Sequence, residues 1–279
     1  MTDNARWSIE ELLVRYDLEP NLADVFVEGA FDKQILSEVF SHISRETSFY
    51  EIDAVNVPHE LLVSHGLTSG NKQRVMALSK ELENLEKHAL VRCLVDRDLD
   101  HWFDEVKDTT RLRWTKFCAI ENHFISKEIV TDLVIKTASA KVNDVKTLSE
   151  SLFEILKSLY ALRLADRELT LSLTWVSLKK YLAREGDALR FDIRQYMNAT
   201  LGANAVLSEK NAFERSVQNW QERLNCDIRL ASRGHDYSQL LAITISQFGG
   251  HKAFTDQSAV ERLFVLLAKS VSSLVQELN

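Results

Sequence analysis

The chain has 279 residues, 45% hydrophobic and 27% charged, enough apolar content for one or two packed domains and too much for a disordered chain. Its net charge of −7 is uneven: residues 1–150 hold 27 Asp and Glu against 18 Lys and Arg, and residues 151–279 hold 14 against 16. A uniformly basic nucleic-acid coat is thereby excluded, and a local basic groove is not. Two prolines and eight glycines are too few for the turns of an all-β protein, so helix should dominate.

Cys93, Cys118 and Cys226 form no CxxC pair and no metal spacing, a pattern that suits a reducing compartment rather than a disulfide scaffold. The opening MTDNARWSIEELL is polar and mixed in charge, unlike a signal peptide. No run of 18 apolar residues occurs, so no membrane span is expected, and a cytoplasmic location is.

In chain order, residues 7–16 read as a short amphipathic helix ending before Pro20. DVFVEG (24–29) is an apolar run stopped by Gly. Phe31, Ile35, Leu36, Val39, Phe40 and Ile43 have helical spacing over 31–44. FYEIDAVNV (49–57) alternates as a strand does. A helix is expected over 70–88, and apolar runs follow at 89–96 (ALVRCLVD) and 116–121 (KFCAIE), both read as strands ending in an acid. Strands alternating with helices predict an α/β domain with a mostly parallel sheet over 1–125. From 126 onward, helices are expected at 126–137, 145–164, 168–184, 189–200, 209–224, 236–247 and 257–278, which makes 126–279 an all-helical domain.

Three of the four expected strands end in carboxylates: Glu28, with Asp32 four residues on; Asp96, followed by Asp98 and Asp100; and Glu121. In an open parallel sheet the carboxyl ends of the strands form the ligand crevice. Acids gathered there repel one another, and a divalent cation relieves the repulsion. Hard oxygen donors select Mg²⁺ or Mn²⁺. A calcium loop is excluded, because its sixth and twelfth positions here are His101 and Lys107 rather than Gly and Glu.

VFVEGAFD (25–32) and CLVDRDLD (93–100) resemble the two motifs of the Toprim domain found in topoisomerases, primases and overcoming-lysogenization-defect (OLD) nucleases. The ExxxD spacing of Glu28 and Asp32 is similar to the OLD-like nucleases. AIENHF (119–124) and GHD (234–236) resemble stand-alone Toprim proteins encoded beside ABC-type ATPases in bacterial anti-phage loci, among them the Toprim effector of the PARIS system. The resemblance covers about 100 residues. It implies a Mg²⁺- or Mn²⁺-dependent phosphodiesterase in which Glu28, Asp96 and Asp98 are catalytic and bind metal, with Asp32 and Glu121 completing a second metal position. It further implies a toxin-like nuclease with a nucleic-acid substrate, RNA and specifically tRNA ahead of DNA, held or delivered by an ABC-type ATPase. A DNA nickase of the OLD type and a non-catalytic Toprim adaptor are the alternatives. A topoisomerase or primase would need further domains.

Lys72, in SGNKQRV (69–75), stands where a helix begins after a Gly turn and is a candidate phosphate ligand; Arg97, between two motif acids, is another. Each has a plainer alternative, a solvated lysine and a salt bridge within the acids. Asp236 reads as a first-turn acid of a helix. Trp102 and Trp114 flank the acidic loop and could stack on a base, whereas core packing is the default for Trp175 and Trp220. Val260, Leu263, Phe264, Leu267, Val271, Leu274 and Val275 form an apolar face in the last segment, read either as a core helix or as a surface for a homodimer or an ATPase.

Overall fold

A computed structural model of the chain describes residues 6–41, 47–271 and 274. These divide into two compact units, one within Met1–Ile120 and Phe264–Asn279, the other within Glu121–Leu263. The first unit opens with α1 (Ile9–Leu18), whose start is fixed by a reciprocal cap: Glu11 donates its N–H to the Ser8 hydroxyl at 3.1 Å, and Ser8 donates its N–H to the Glu11 carboxylate at 2.7 Å. The five residues of β1 (Ala23–Val27) are all buried, as expected of a strand covered on both faces. Then come α2 (Ala30–Phe40), β2 (Thr47–Glu51), α3 (His59–Ser64), α4 (Asn71–Leu82), β3 (Arg92–Val95) and β4 (Leu112–Trp114).

The four strands form one parallel sheet in the order β2-β1-β3-β4, with Val27 beside Glu51, Phe26 beside Cys93, and Val95 beside Trp114. The expected α/β class is observed, with this sheet as its centre. The core joins the sheet to its helices through Phe26, Val75, Leu78, Val91, Cys93, Val95, Leu112 and Trp114. One charged side chain is fully enclosed there: Arg111 donates to the carbonyls of Leu82, Leu85, Glu86 and Ala89, saturating the C-terminal end of α4 and the turn beyond it.

The fourth strand is a correction. Residues 116–121 are not extended; β4 lies upstream at Leu112–Trp114, and Ile120–Phe124 is a 3₁₀ turn. Phe117, Cys118, Ala119 and Ile120 are buried, so the apolar run reports enclosure rather than strand pairing. Its carbonyls are used locally: Phe117 O accepts the Thr115 hydroxyl, and Cys118 O accepts the Asp98 N–H. The strand expected over 49–57 is also shorter, passing into a 3₁₀ turn at Ile52–Ala54. The helix expected over 31–44 reaches Phe40, and its positions 42–44 lie outside the described residues.

The second unit contains α5 (Lys127–Val130), running into a π-helical turn at Thr131–Thr137, then α6 (Val145–Glu168), β5 (Leu182–Glu185), β6 (Ala188–Phe191), α7 (Ile193–Ala203), α8 (Lys210–Arg223), α9 (Gly234–Gln247) and α10 (Gln257–Leu267), the last passing across the division after Leu263. The 24-residue α6 is its spine, burying Leu148, Leu152, Leu156, Leu159 and Leu162. Asp144 accepts the N–H groups of Lys146 and Thr147 at its start.

The expected all-helical character is corrected here. Residues 168–184 are not one helix: α6 ends at Glu168, Leu178–Tyr181 is a 3₁₀ turn, and β5 and β6 form an antiparallel hairpin. Gly186 at φ +61° turns the hairpin, a conformation that disfavours any residue with a Cβ. The helix expected over 257–278 stops at Leu267 and gives way to a 3₁₀ turn at Ala268–Ser270. Val271 and Leu274 are buried, and Val275 lies outside the described residues. Among the described residues no helix is long and apolar enough to cross a membrane.

Candidate functional site

Strand order reverses between β1 and β3, and the crevice beyond the carboxyl ends of two such strands is where open α/β sheets bind ligands. Glu28 follows β1 directly, and Asp96 follows β3 directly. The two strand ends are tied together, since Asp96 donates its N–H to Glu28 Oε1 at 2.9 Å. Beyond Asp96 the chain turns back through Asp98 at φ +45°, a left-handed conformation that Asp tolerates better than most residues. The Asp98 N–H is held by Cys118 O at 2.7 Å.

The first turn of α4 closes the site. Its Lys72 ammonium lies 3.0 Å from Asp98 Oδ2 and 2.7 Å from Asp100 Oδ2. The same ammonium lies 5.1 Å from the centre of the Trp114 ring. The neighbouring Asn71 donates its side-chain amide to Glu28 O at 2.8 Å. Gly70, at φ +114°, brings the chain into this turn.

The charges respond to this enclosure. Burial pushes the Glu28 carboxyl up to about 7; the Asp96 N–H and Lys72 pull it down, and the charges of Asp98 and Asp100 push it further up. Burial alone would lower the Lys72 pKa, but Asp98 and Asp100 outweigh it and the net direction is upward. The lysine is therefore a fixed cation among acids, and Glu28 is a carboxyl able to take or release a proton near neutrality.

The remaining sequence candidates make contacts of their own. Asp32 Oδ2 reaches back to accept the Gly29 N–H at 3.1 Å, so in this arrangement it caps α2. Arg97 donates from its backbone N–H to the Thr115 hydroxyl and from Nε to Thr115 O, which anchors it to the segment after β4. Glu121 is not at a strand end; it opens the second unit, where its carboxylate lies so close to Gly234 that a Cβ there would overlap it.

The ENHF part of AIENHF, and GHD, lie within that unit. Asn122 donates to the carbonyls of Arg229 and Ser232, and the Tyr237 hydroxyl donates to Phe124 O. Asp236 pairs with Arg163 at 3.4 Å, and the Arg163 guanidinium lies 4.0 Å from the centre of the Trp175 ring.

Sequence reasoning missed the double pairing of Lys72. In the sequence Lys72 and Asp100 are separate features, one in SGNKQRV and the other in DRDLD, and no local pattern joins them. Among the described residues, no group of three or more His, Cys, Asp and Glu side chains is placed to hold a metal ion. The donors at the two strand ends are all oxygens, which fits Mg²⁺ or Mn²⁺ in chemistry. As arranged, an ammonium group stands among them. Comparison with protein-family models gives no match, and comparison with curated proteins gives none.

Proposed function

We propose that the chain is a divalent-cation-dependent phosphodiesterase of the Toprim nuclease type. The observation that carries this reading is the meeting of Glu28 and the Asp96–Asp98–Asp100 run at the reversal of strand order, with Glu28 bonded to the Asp96 N–H. Glu28, Asp96 and Asp98 would hold Mg²⁺ or Mn²⁺, which when bound supplies Lewis-acid stabilisation of charge on a phosphoryl group. Glu28 holds or takes a proton at its carboxyl near neutral pH. Lys72, with Asn71 beside it, presents a positive charge at the start of α4, where a phosphate is favoured. The resemblance of VFVEGAFD and CLVDRDLD to Toprim motifs supports the nuclease class.

The wider reading follows from the resemblance of AIENHF and GHD. The enzyme acts as a toxic effector in anti-phage defence, cuts RNA with tRNA as the favoured substrate, and is restrained or delivered by an ABC-type ATPase. The test is cleavage of end-labelled tRNA and of DNA by the protein co-purified with its neighbouring ATPase, with and without Mg²⁺ or Mn²⁺. Cation-dependent tRNA cleavage, reduced by about 100-fold or more in Glu28→Gln and Asp96→Asn, is expected. Cleavage of DNA alone would reassign the substrate. Full activity in either variant would overturn the site.

A further inference from the structure

The acids beyond β3 already have a counter-charge supplied by the chain itself. Lys72 touches Asp98 and Asp100 at 3.0 and 2.7 Å, and only 15% of its side chain is exposed. It cannot drift to another partner cheaply, because α4 fixes its backbone and the Trp114 ring flanks its ammonium. A divalent cation and an ammonium at these distances would compete for the same carboxylate oxygens, since two cations sharing one acid repel.

We propose that Lys72 is a built-in stand-in cation, displaced when a divalent ion takes up Asp98, so that cation entry and release of the lysine are one event. This rests on the metal-dependent reading above and adds to it a regulatory consequence. In the cation-free protein the lysine holds the acidic turn in shape and keeps cation affinity low. Once displaced, its ammonium is free of its two carboxylate partners and can meet a phosphate. The site therefore favours cation and phosphate arriving together over cation alone.

The experiment is isothermal titration of Mn²⁺ into the full chain, with no nucleic acid present, for wild type, Lys72→Met, Lys72→Gln and Lys72→Arg, alongside thermal unfolding of each with and without Mn²⁺. Lys72→Met and Lys72→Gln should bind Mn²⁺ about tenfold more tightly than wild type, equivalent to ~1.4 kcal/mol. They should unfold earlier without Mn²⁺ and gain more from it. Lys72→Arg keeps the charge and should stay near wild type. Two neutral variants guard against one that fails to fold. If wild type binds Mn²⁺ and both neutral variants bind it equally or more weakly, the displacement is wrong while the metal site stands. If none of the four binds Mn²⁺, the metal-dependent reading itself falls.

Discussion

Glu28 reaches the Asp96 N–H from a site that raises its carboxyl to about 7, chiefly through burial. A carboxyl whose folded pKa lies above its unfolded value holds its proton longer in the native state, so ionising it opposes folding. Its contribution is neutral below about pH 4.5, the ordinary value for a glutamate, and the protein loses stability progressively from there to about pH 7. Glu28→Gln keeps an acceptor for the Asp96 N–H and removes the ionisation. In chelator-treated protein, the stability of Glu28→Gln relative to wild type should rise between pH 5 and pH 8, by up to roughly 3 kcal/mol. Urea unfolding at four or five pH values measures it. Parallel curves for the two proteins would mean that Glu28 titrates as an ordinary surface acid.

At the scale of elements, the hairpin of the second unit is the clearest departure from the sequence pattern. LSLTWVSLKKYLARE has apolar residues near helical spacing, which invited a helix over 168–184. What decides otherwise is the turn: Gly186 at φ +61° and Asp187, whose carboxylate accepts the N–H groups of Asn143 and Asp144. Gly186→Val should destabilise the protein by about 1–2 kcal/mol, since a β-branched residue is strained at that φ. An Asn there, more tolerant of left-handed backbone, should cost less. Chemical unfolding of the pair checks the order, and equal losses would place the effect outside the turn.

Much of the first unit was legible for a physical reason. Strands β1 and β3 are enclosed on both faces, so they appear as continuous apolar runs, and each ends in the acid that sequence reading singled out. β4 was misplaced because a buried irregular segment is as apolar as a strand, whereas the true strand, LRW, has only three residues. The pairing of Lys72 with Asp98 and Asp100 was not legible, because it joins the start of a helix to a turn 26 residues further on, and no local pattern encodes that meeting.

For the whole molecule, the described end of the chain belongs with its beginning. Phe264, Ala268 and Leu274 are fully buried within the segment assigned to the first unit, and Lys269 pairs with Glu38 of α2 at 2.8 Å. Truncation after Leu263 should therefore lower the thermal stability of the first unit and expose α2, read by hydrogen exchange across Ala30–Phe40. Unchanged protection there would show that the terminal segment is dispensable.

The same return of the chain orders events during synthesis. The α/β unit is interrupted by the whole of Glu121–Leu263 and receives its closing piece last. A ribosome delivering this protein presents the acids at Glu28 and Asp96 early, on a sheet that still lacks the segment packed on α2. The segment carrying Lys269 follows the whole of Glu121–Leu263 in chain order, so the sheet and α2 must persist through synthesis of the second unit before their closing contact can form.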